Sequence, residues 1–163
     1  MNLHIFNLAT DLNSELLATA HDWISEFAIK CTSVTVYSTH VGEFNLPNNV
    51  KVYEIGGGRI FLKIFGFIKV LFYTTKICLK SNNNTYVFHH MSPRTAWIGG
   101  PIFRIFSIKQ ALWYSHYKNH LELRIATLLV NKIYSTAPSA FPIKNNKVNF
   151  IGHGINSSKF KCN

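Results

Sequence analysis

The sequence predicts an α/β protein with an open parallel sheet and helices on both faces. Short, nearly continuous apolar runs alternate along the chain with longer segments of helical period. Runs of this kind are typical of strands that are buried on both faces of a parallel sheet. The 163 residues fit a single domain, 1–163, and a hydrophobic content of 47% is enough for a packed core.

Three strands and one amphipathic helix are predicted in the first third of the chain. The strands are 3–8, 33–37 and 50–55, the last preceded by a turn at 45–49. The helix follows the first strand, because Leu16, Ala20, Trp23 and Phe27 recur at helical spacing. Ser14 or Asp11 is the expected cap at its start.

A long apolar helix is predicted at residues 60–80, after a glycine-rich loop at 56–58. One face carries Phe65, Ile68 and Phe72 with neighbours at the same spacing, and lysines cluster beside that face. Two interpretations stay open: a surface that dips into lipid headgroups, or a helix packed on the sheet with lysine stems over its rim. A membrane-spanning helix is not expected, because lysines interrupt the apolar run.

The second half is predicted to supply four more strands and one more helix. The strands are 85–88, 109–114, 132–135 and 148–151, and the helix covers about 118–130. We expect Gly99-Gly100-Pro101 to interrupt the chain between two of these elements.

Charge is distributed unevenly along the chain, whose formal net charge is +10. Six of the seven acidic residues lie in 1–54, whereas fifteen of the seventeen basic residues lie in 55–163. Such a basic body suits anionic partners, among them membrane headgroups and phosphorylated lipid carriers, although a lysine-rich surface with no partner is the alternative. Three widely spaced cysteines and no signal-peptide pattern indicate a cytoplasmic protein.

Candidate site residues follow from the rule that open parallel sheets bind ligands beyond the carboxyl ends of their strands. His89 and His90 end one strand, and alternation predicts that they point in opposite directions. Arg94 lies just beyond and could clamp a phosphate or carboxylate. His116 ends the next strand and could donate to a sugar hydroxyl. No metal is expected, because the His116/His120 pair lacks further ligands.

Several segments, taken in order, resemble the N-terminal half of GT-B glycosyltransferases of the retaining family-4 type. Each segment is a strand end with a short motif. They are Val34–Tyr37 with Ser38-Thr39-His40, Phe88-His89-His90, Tyr114-Ser115-His116, Ile133-Tyr134-Ser135-Thr136, and the Gly152-His153-Gly154 to Phe160 junction. The resemblance implies a Rossmann-like fold and transfer of a sugar from a nucleotide-sugar, with retained configuration, to a glycan or lipid-linked acceptor. Neither a metal nor another cofactor is implied.

The resemblance also implies residue roles. His116 would be the catalytic histidine that contacts the donor sugar. The acceptor and diphosphate side would be formed by Thr10, Asp11, Asn13, His89 and His90. Arg94 and Gly154, chosen for their positions after strands, complete the predicted substrate-binding residues. Two features depart from the family: the first loop, Ala9 to Asn13, is not glycine-rich, and no segment matches the family's E-x7-E motif.

We therefore expect an acceptor-side domain that lacks the nucleotide-sugar domain and has little activity alone. It would work in the cytoplasm, with peripheral contact to the inner face of the membrane. The alternatives are a non-catalytic subunit that pairs with a separate donor-domain chain, or a truncated product. Nucleic acid is not expected among the partners.

Overall fold

A parallel sheet in the order β3-β2-β1-β4-β5-β6-β7 organises the computed structural model, which describes residues 1–14, 19–56, 60–152 and 154. Every adjacent pair of strands is parallel. The strands are β1 (Asn2–Thr10), β2 (Ser33–Val41), β3 (Val50–Glu54), β4 (Thr85–His90), β5 (Lys109–Trp113), β6 (Lys132–Ser135) and β7 (Val148–Phe150). The predicted fold class is confirmed.

Helices cover both faces of the sheet, as predicted. They are α1 (Thr19–Lys30), α2 (Ile60–Lys80), α3 (Pro93–Ile105) and α4 (Leu121–Leu129), with a 3-10 turn at Pro138–Ala140. On one face, α1 buries Ile24 against Ile5 and Val36. On the other face, α2 and α3 pack over Phe6, and α3 also contacts α4. The two central strands, β1 and β4, are therefore enclosed between helix layers.

The predicted break at Gly99-Gly100-Pro101 is wrong, because these residues lie inside α3. A Cβ at Gly99 would lie 2.7 Å from the Thr74 hydroxyl oxygen of α2, and a Cβ at Gly100 would lie 2.9 Å from the nearest Leu129 methyl carbon of α4. The two glycines are thus needed for close packing of α3 against both neighbouring helices. That packing compensates for the low helix propensity of glycine.

Three strands extend further at their carboxyl ends than the sequence predicts. Thr10, His40 and His90 all lie within strands. The last helix is shorter at its start than predicted, because the His120 side chain caps it by accepting from the Leu123 N–H. Leu16, at the predicted start of the first helix, lies outside the described residues.

The long helix α2 is apolar on its inner and its outer sides. Val70, Thr74 and Ile77 are buried against the sheet and α3. The stripe that includes Phe65 and Phe72 is exposed. The inner side of α2 therefore packs on the sheet, as one interpretation predicted, and its outer side leaves apolar residues exposed to solvent. Across the part of the chain that is described, no helix combines the length and the apolar character needed to cross a membrane.

A lysine from the loop before β7 closes the carboxyl end of α4. Lys147 Nζ donates to the backbone carbonyls of Thr127, Leu128 and Val130 at 3.0, 3.1 and 2.9 Å. Arg104 Nη1 donates to the Leu128 carbonyl at 2.9 Å. Burial, followed by the nearby Arg104 charge, lowers the pKa of Lys147. These cations satisfy carbonyls that have no partner within the helix and complement its dipole.

Replacing Lys147 should therefore destabilise the fold. We expect Lys147→Met to lower the free energy of unfolding by about 1–3 kcal/mol, because carbonyls at the end of α4 lose their donors. Urea denaturation followed by circular dichroism measures this. The matched control is Lys144→Met on the same loop, where the exposed lysine should tolerate the change. Equal losses in the two variants would contradict the capping role.

Candidate functional site

A crevice of about 650 Å³ opens at the carboxyl edge of the sheet. Its walls come from the ends of β1, β2 and β5, from α2, and from the loop and first turns that follow β4. The side chains that line it include those of Leu8, Phe67, Met91, Arg94, Trp97, His116, His120 and Glu122. A smaller cavity of about 340 Å³ lies at the opposite edge, between Asn82 and Lys109. Ligands of open parallel sheets bind at the carboxyl edge, so we take the larger crevice as the candidate site.

The strand order places this crevice where the topology reverses. Chain order runs outward from β1 to β2 and β3, then returns to β4 on the other side of β1. Leu8 near the end of β1 and Met91 after β4 both line the crevice. The connections leave β1 and β4 in opposite directions, which opens a gap between them.

An ion pair closes one side of the crevice. Arg94, in the first turn of α3, places Nε and Nη2 each 2.8 Å from Oε1 of Glu122 on α4. The two side chains are 59% and 33% exposed. Pairs this accessible to solvent contribute little to stability, so the guanidinium can exchange its partner at little cost. A phosphate or carboxylate entering the crevice would compete with Glu122 for Arg94.

His116 lies on the loop between β5 and α4 and lines the crevice. Its Nδ1 accepts from the Lys118 backbone N–H at 3.0 Å, and its ring stacks on Tyr117 with centroids 4.5 Å apart. Because Nδ1 accepts, the neutral ring carries its hydrogen on Nε2. The imidazole is thereby oriented to donate from Nε2 to an oxygen, the chemistry predicted for it.

Met91 joins the two loops that carry Arg94 and His116. Its backbone adopts a φ of 51°, which residues other than glycine seldom take. Its N–H donates to the Trp113 carbonyl at 2.8 Å, and its sulfur accepts from the Ser115 N–H at 3.3 Å. Sequence reasoning included Met91 in the strand-end segment 89–94 but gave it no role, and it missed Trp97 as a lining residue. The position of Met91 directly after a strand was a usable signal, whereas Trp97 lies in a helix that the sequence did not predict.

His89 is not available to a substrate, which corrects its predicted binding role. Its side chain is 0% exposed, stacks on Phe6 with centroids 5.3 Å apart, and holds Nδ1 2.9 Å from the Thr95 hydroxyl oxygen. Burial lowers the pKa of His89 to about 3, and the nearby Gln110 side chain opposes this only in part. The Gln110 Oε1 and the His89 Nε2 nevertheless have no hydrogen-bond partner within the described structure.

His90 points to the opposite face of the sheet, as strand alternation predicts. Its Nδ1 lies 2.9 Å from Oδ1 of the buried Asn7, and its ring lies 4.6 Å from Trp23 of α1. The prediction that the two histidines diverge is confirmed. His90 thus belongs to the same edge of the sheet as the crevice but not to its lining.

The first loop and the end of β2 form a separate polar group. Asp11 Oδ2 lies 3.7 Å from His40 Nε2, and Asn13 Nδ2 donates to Glu43 Oε2 at 3.3 Å. Thr10 is fully buried, with its hydroxyl oxygen 2.5 Å from that of Ser38, so its side chain does not contact a ligand as predicted. The roles of Asp11 and Asn13 remain predictions.

The junction after β7 is described only in part. Gly152 adopts a φ of 73°, which supports the expected tight turn. Gly154 is exposed, and a Cβ there would meet no described atom within 4 Å. The other junction residues, His153 and 155–160, lie outside the described residues. Among described residues, no three histidine, cysteine or carboxylate side chains form a group that could hold a metal.

Comparisons with known proteins identify the fold. No family model matches the sequence, and no curated protein matches it. Solved structures do. UDP-GlcNAc 2-epimerase from Methanocaldococcus jannaschii superimposes with a TM-score of 0.60 at 16% identity, covering 93% of this chain and 45% of the epimerase.

Two further structures extend this likeness. Anabaena Alr3699/HepE, solved in complex with UDP, gives a TM-score of 0.63 at 10% identity, over 97% of this chain and 45% of HepE. The lipopolysaccharide outer core galactosyltransferase WaaB gives 0.62 at 8% identity, over 95% of this chain and 46% of WaaB. The chain therefore spans less than half the length of each protein. Its architecture is that of the N-terminal domain of a GT-B fold.

The buried imidazole of His89 makes stability depend on pH. Its pKa is about 3 in the folded state and 6.5 in the unfolded state, so the unfolded chain takes up a proton first as pH falls. Stability present above pH 6.5 is then lost progressively towards pH 3. We expect His89 to remove about 2 kcal/mol of the free energy of unfolding between pH 7 and pH 5.

Urea denaturation at several pH values tests this. His89→Gln should flatten the slope of stability against pH, but not abolish it, because burial also lowers the pKa of His4 to about 4. Thr95→Val is the matched control, since it removes the hydrogen-bond partner but keeps the buried imidazole, and therefore keeps the slope. An unchanged slope in His89→Gln would contradict the assignment.

Proposed function

We propose that this domain is the acceptor-side half of a retaining glycosyltransferase that moves a sugar from a nucleotide-sugar to a glycan or lipid-linked acceptor. One observation carries the proposal. The crevice at the topological reversal gathers a donating imidazole, His116, and an exchangeable guanidinium, Arg94, on a fold shared with a galactosyltransferase and a UDP-bound protein. The retaining outcome rests on the resemblance of the strand-end motifs.

In this proposal the acceptor occupies the crevice. Phe67 and Trp97 offer apolar walls against which a sugar ring can pack, and a few polar groups set its orientation. His116 donates from Nε2 to a hydroxyl of the transferred sugar, next to the reacting carbon. Arg94 leaves Glu122 to hold an anionic group of the acceptor or of the donor diphosphate.

In this proposal a second lobe completes the site. The solved structures that the chain resembles are about twice its length, with 45–46% of each covered by this fold. We propose that a nucleotide-sugar-binding lobe faces the crevice and supplies the remaining charge clamp on the diphosphate. The alternative is a binding subunit that docks a separate donor-domain chain. We place the reaction in the cytoplasm, at the inner face of the membrane.

A UDP-sugar epimerase is the second candidate. The likeness to the Methanocaldococcus jannaschii epimerase supports it, since the TM-scores for the epimerase and the galactosyltransferase are nearly equal, at 0.60 and 0.62. Epimerisation needs only the nucleotide-sugar, whereas transfer also needs an acceptor. Product analysis therefore separates the two candidates.

Acceptor binding should depend on the crevice. We expect Phe67→Ala to weaken binding of the glycan acceptor about tenfold, because the apolar wall against which its sugar ring packs is lost. Saturation-transfer NMR against a glycan panel identifies ligands and measures their dissociation constants. His21→Ala, on α1 at the other face of the sheet, is the control and should bind normally. Equal binding by Phe67→Ala, or no glycan bound in the panel, would refute the acceptor site.

Turnover by the chain alone should be residual. Loss of a single oxyanion-hole donor slows acyl-transfer enzymes about 10²–10³-fold, and in this proposal the whole opposing clamp comes from the second lobe. UDP-galactose and UDP-GlcNAc are each incubated with the bound glycan. Mass spectrometry measures transfer to the glycan, and proton NMR of the same mixtures measures epimerisation, because epimers have the same mass. Rapid multiple turnover by these 163 residues would contradict the half-site, and accumulation of an epimer without acceptor would favour the epimerase.

A further inference from the structure

We infer that the outer face of α2 docks on an anionic membrane surface and holds the crevice mouth against it. This face, called the α2 outer face, consists of Ile64, Phe65, Ile68, Phe72 and Leu79 together with Lys69, Lys76 and Lys80. Only the role of this orientation, which is to bring a lipid-linked acceptor to the crevice, rests on the proposed function. The docking itself depends on the surface alone.

The apolar part of the α2 outer face runs along one side of the helix. Its five apolar side chains are between 53% and 74% exposed. At about 100° per residue they fall within about 100° of the helix circumference, so they form one strip. The inner side is already occupied, because Val70, Thr74 and Ile77 are buried. Single exposed apolar residues are ordinary, but a strip of this size marks an interaction surface.

Lysines border the strip along one side. On the same helical projection Lys69, Lys76 and Lys80 follow directly after Phe65 and Phe72. Lys76 Nζ lies 5.9 Å from the centroid of the Phe72 ring, so the charge and the aromatic share one surface. Residues 60–80 contain no acidic residue. The helix itself therefore holds no carboxylate that would neutralise the lysines, and Lys69 Nζ also donates to the Glu54 backbone carbonyl at 3.4 Å.

An anionic bilayer fits this combination better than a second copy of the chain. Large apolar side chains enter the boundary between headgroups and acyl chains, while lysine stems reach up to the phosphates. Each lysine near an anionic surface adds attraction. Two copies facing each other through this helix would bring six lysines together with no carboxylate from either helix. The net charge of +10 strengthens the attraction to anionic lipid and opposes self-association.

The crevice lies beside the α2 outer face, on another side of the same helix turns. Gly66 and Phe67 line the crevice, and on the helical projection they lie about 100–160° around the helix from Phe65 and Ile68 of the strip. The first turns of α2 thus belong to both surfaces. A lipid-linked acceptor could keep its chain in the bilayer while its sugar enters the crevice. The acceptor class favoured by this geometry is a sugar on an anionic lipid carrier.

Vesicle sedimentation tests the docking without any nucleotide-sugar. The protein is mixed with one of two kinds of vesicle. The first is pure phosphatidylcholine, and the second contains about one third phosphatidylglycerol, which gives it the charge of an anionic membrane. We expect clear binding to the anionic vesicles and at least about tenfold weaker binding to the neutral ones. Lys69→Gln/Lys76→Gln should weaken anionic binding about 30-fold, at about 1 kcal/mol per lysine.

Matched variants separate docking from general attraction. Lys132→Gln/Lys144→Gln removes the same charge from exposed sites outside α2 and should lower binding far less. Ile68→Ser/Phe72→Ser should weaken binding at least about tenfold, because the inserted apolar area is lost. Circular dichroism and thermal unfolding verify that each variant is folded, which is expected for exposed positions.

Three results would overturn the inference. The first is no binding of the unmodified protein to anionic vesicles. The second is an equal loss in both lysine pairs, which would mean that only total charge matters. The third is a dimer in light scattering that becomes a monomer in Ile68→Ser/Phe72→Ser, which would make the face an interface between copies. Failure of glycan binding in the crevice leaves all three readouts intact, so docking and the proposed function fail separately.

Discussion

The parallel pairing of β1 with β4 between two helix layers is the constraint on which the rest of the structure depends. Phe6 lies opposite His89 in this register. Because side chains alternate along each strand, Phe6 and His89 share the face under α2 and α3, whereas Asn7 and His90 share the face under α1. A shift of one residue would exchange these sets and bury the wrong histidine.

Helix packing then determines where the crevice side chains lie. α3 approaches α2 through Gly99 and α4 through Gly100, so three helices form one tight layer. This layer sets Arg94 within reach of Glu122, and Met91 ties the start of α3 to the loop of His116. The site is therefore a product of the helix layer and the strand ends together. Neither part positions it alone.

The helix α2 contributes to the core, to the crevice and to the exposed surface. Its inner side completes the core, its first turns line the crevice, and its outer face exposes apolar residues edged by lysines. A helix that is apolar on nearly all sides normally indicates full burial. Here the outer side has no packing partner among the described residues. This exposed apolar face beside lysines is the basis of the proposal that α2 docks on a membrane.

The sequence by itself determined the layer architecture, the approximate strands and the edge of the sheet where the candidate crevice lies, because apolar period and strand-end position are local properties of the chain. It also determined that His89 and His90 diverge. It did not reveal α3, since the glycine signal at 99–100 reads as a break unless the helices that press against it are known. Only the tertiary structure decided which histidine is buried, that the buried Thr10 hydroxyl contacts the Ser38 hydroxyl, and that Arg94 forms an ion pair with Glu122. These depend on contacts between residues far apart in the chain, which no local pattern encodes.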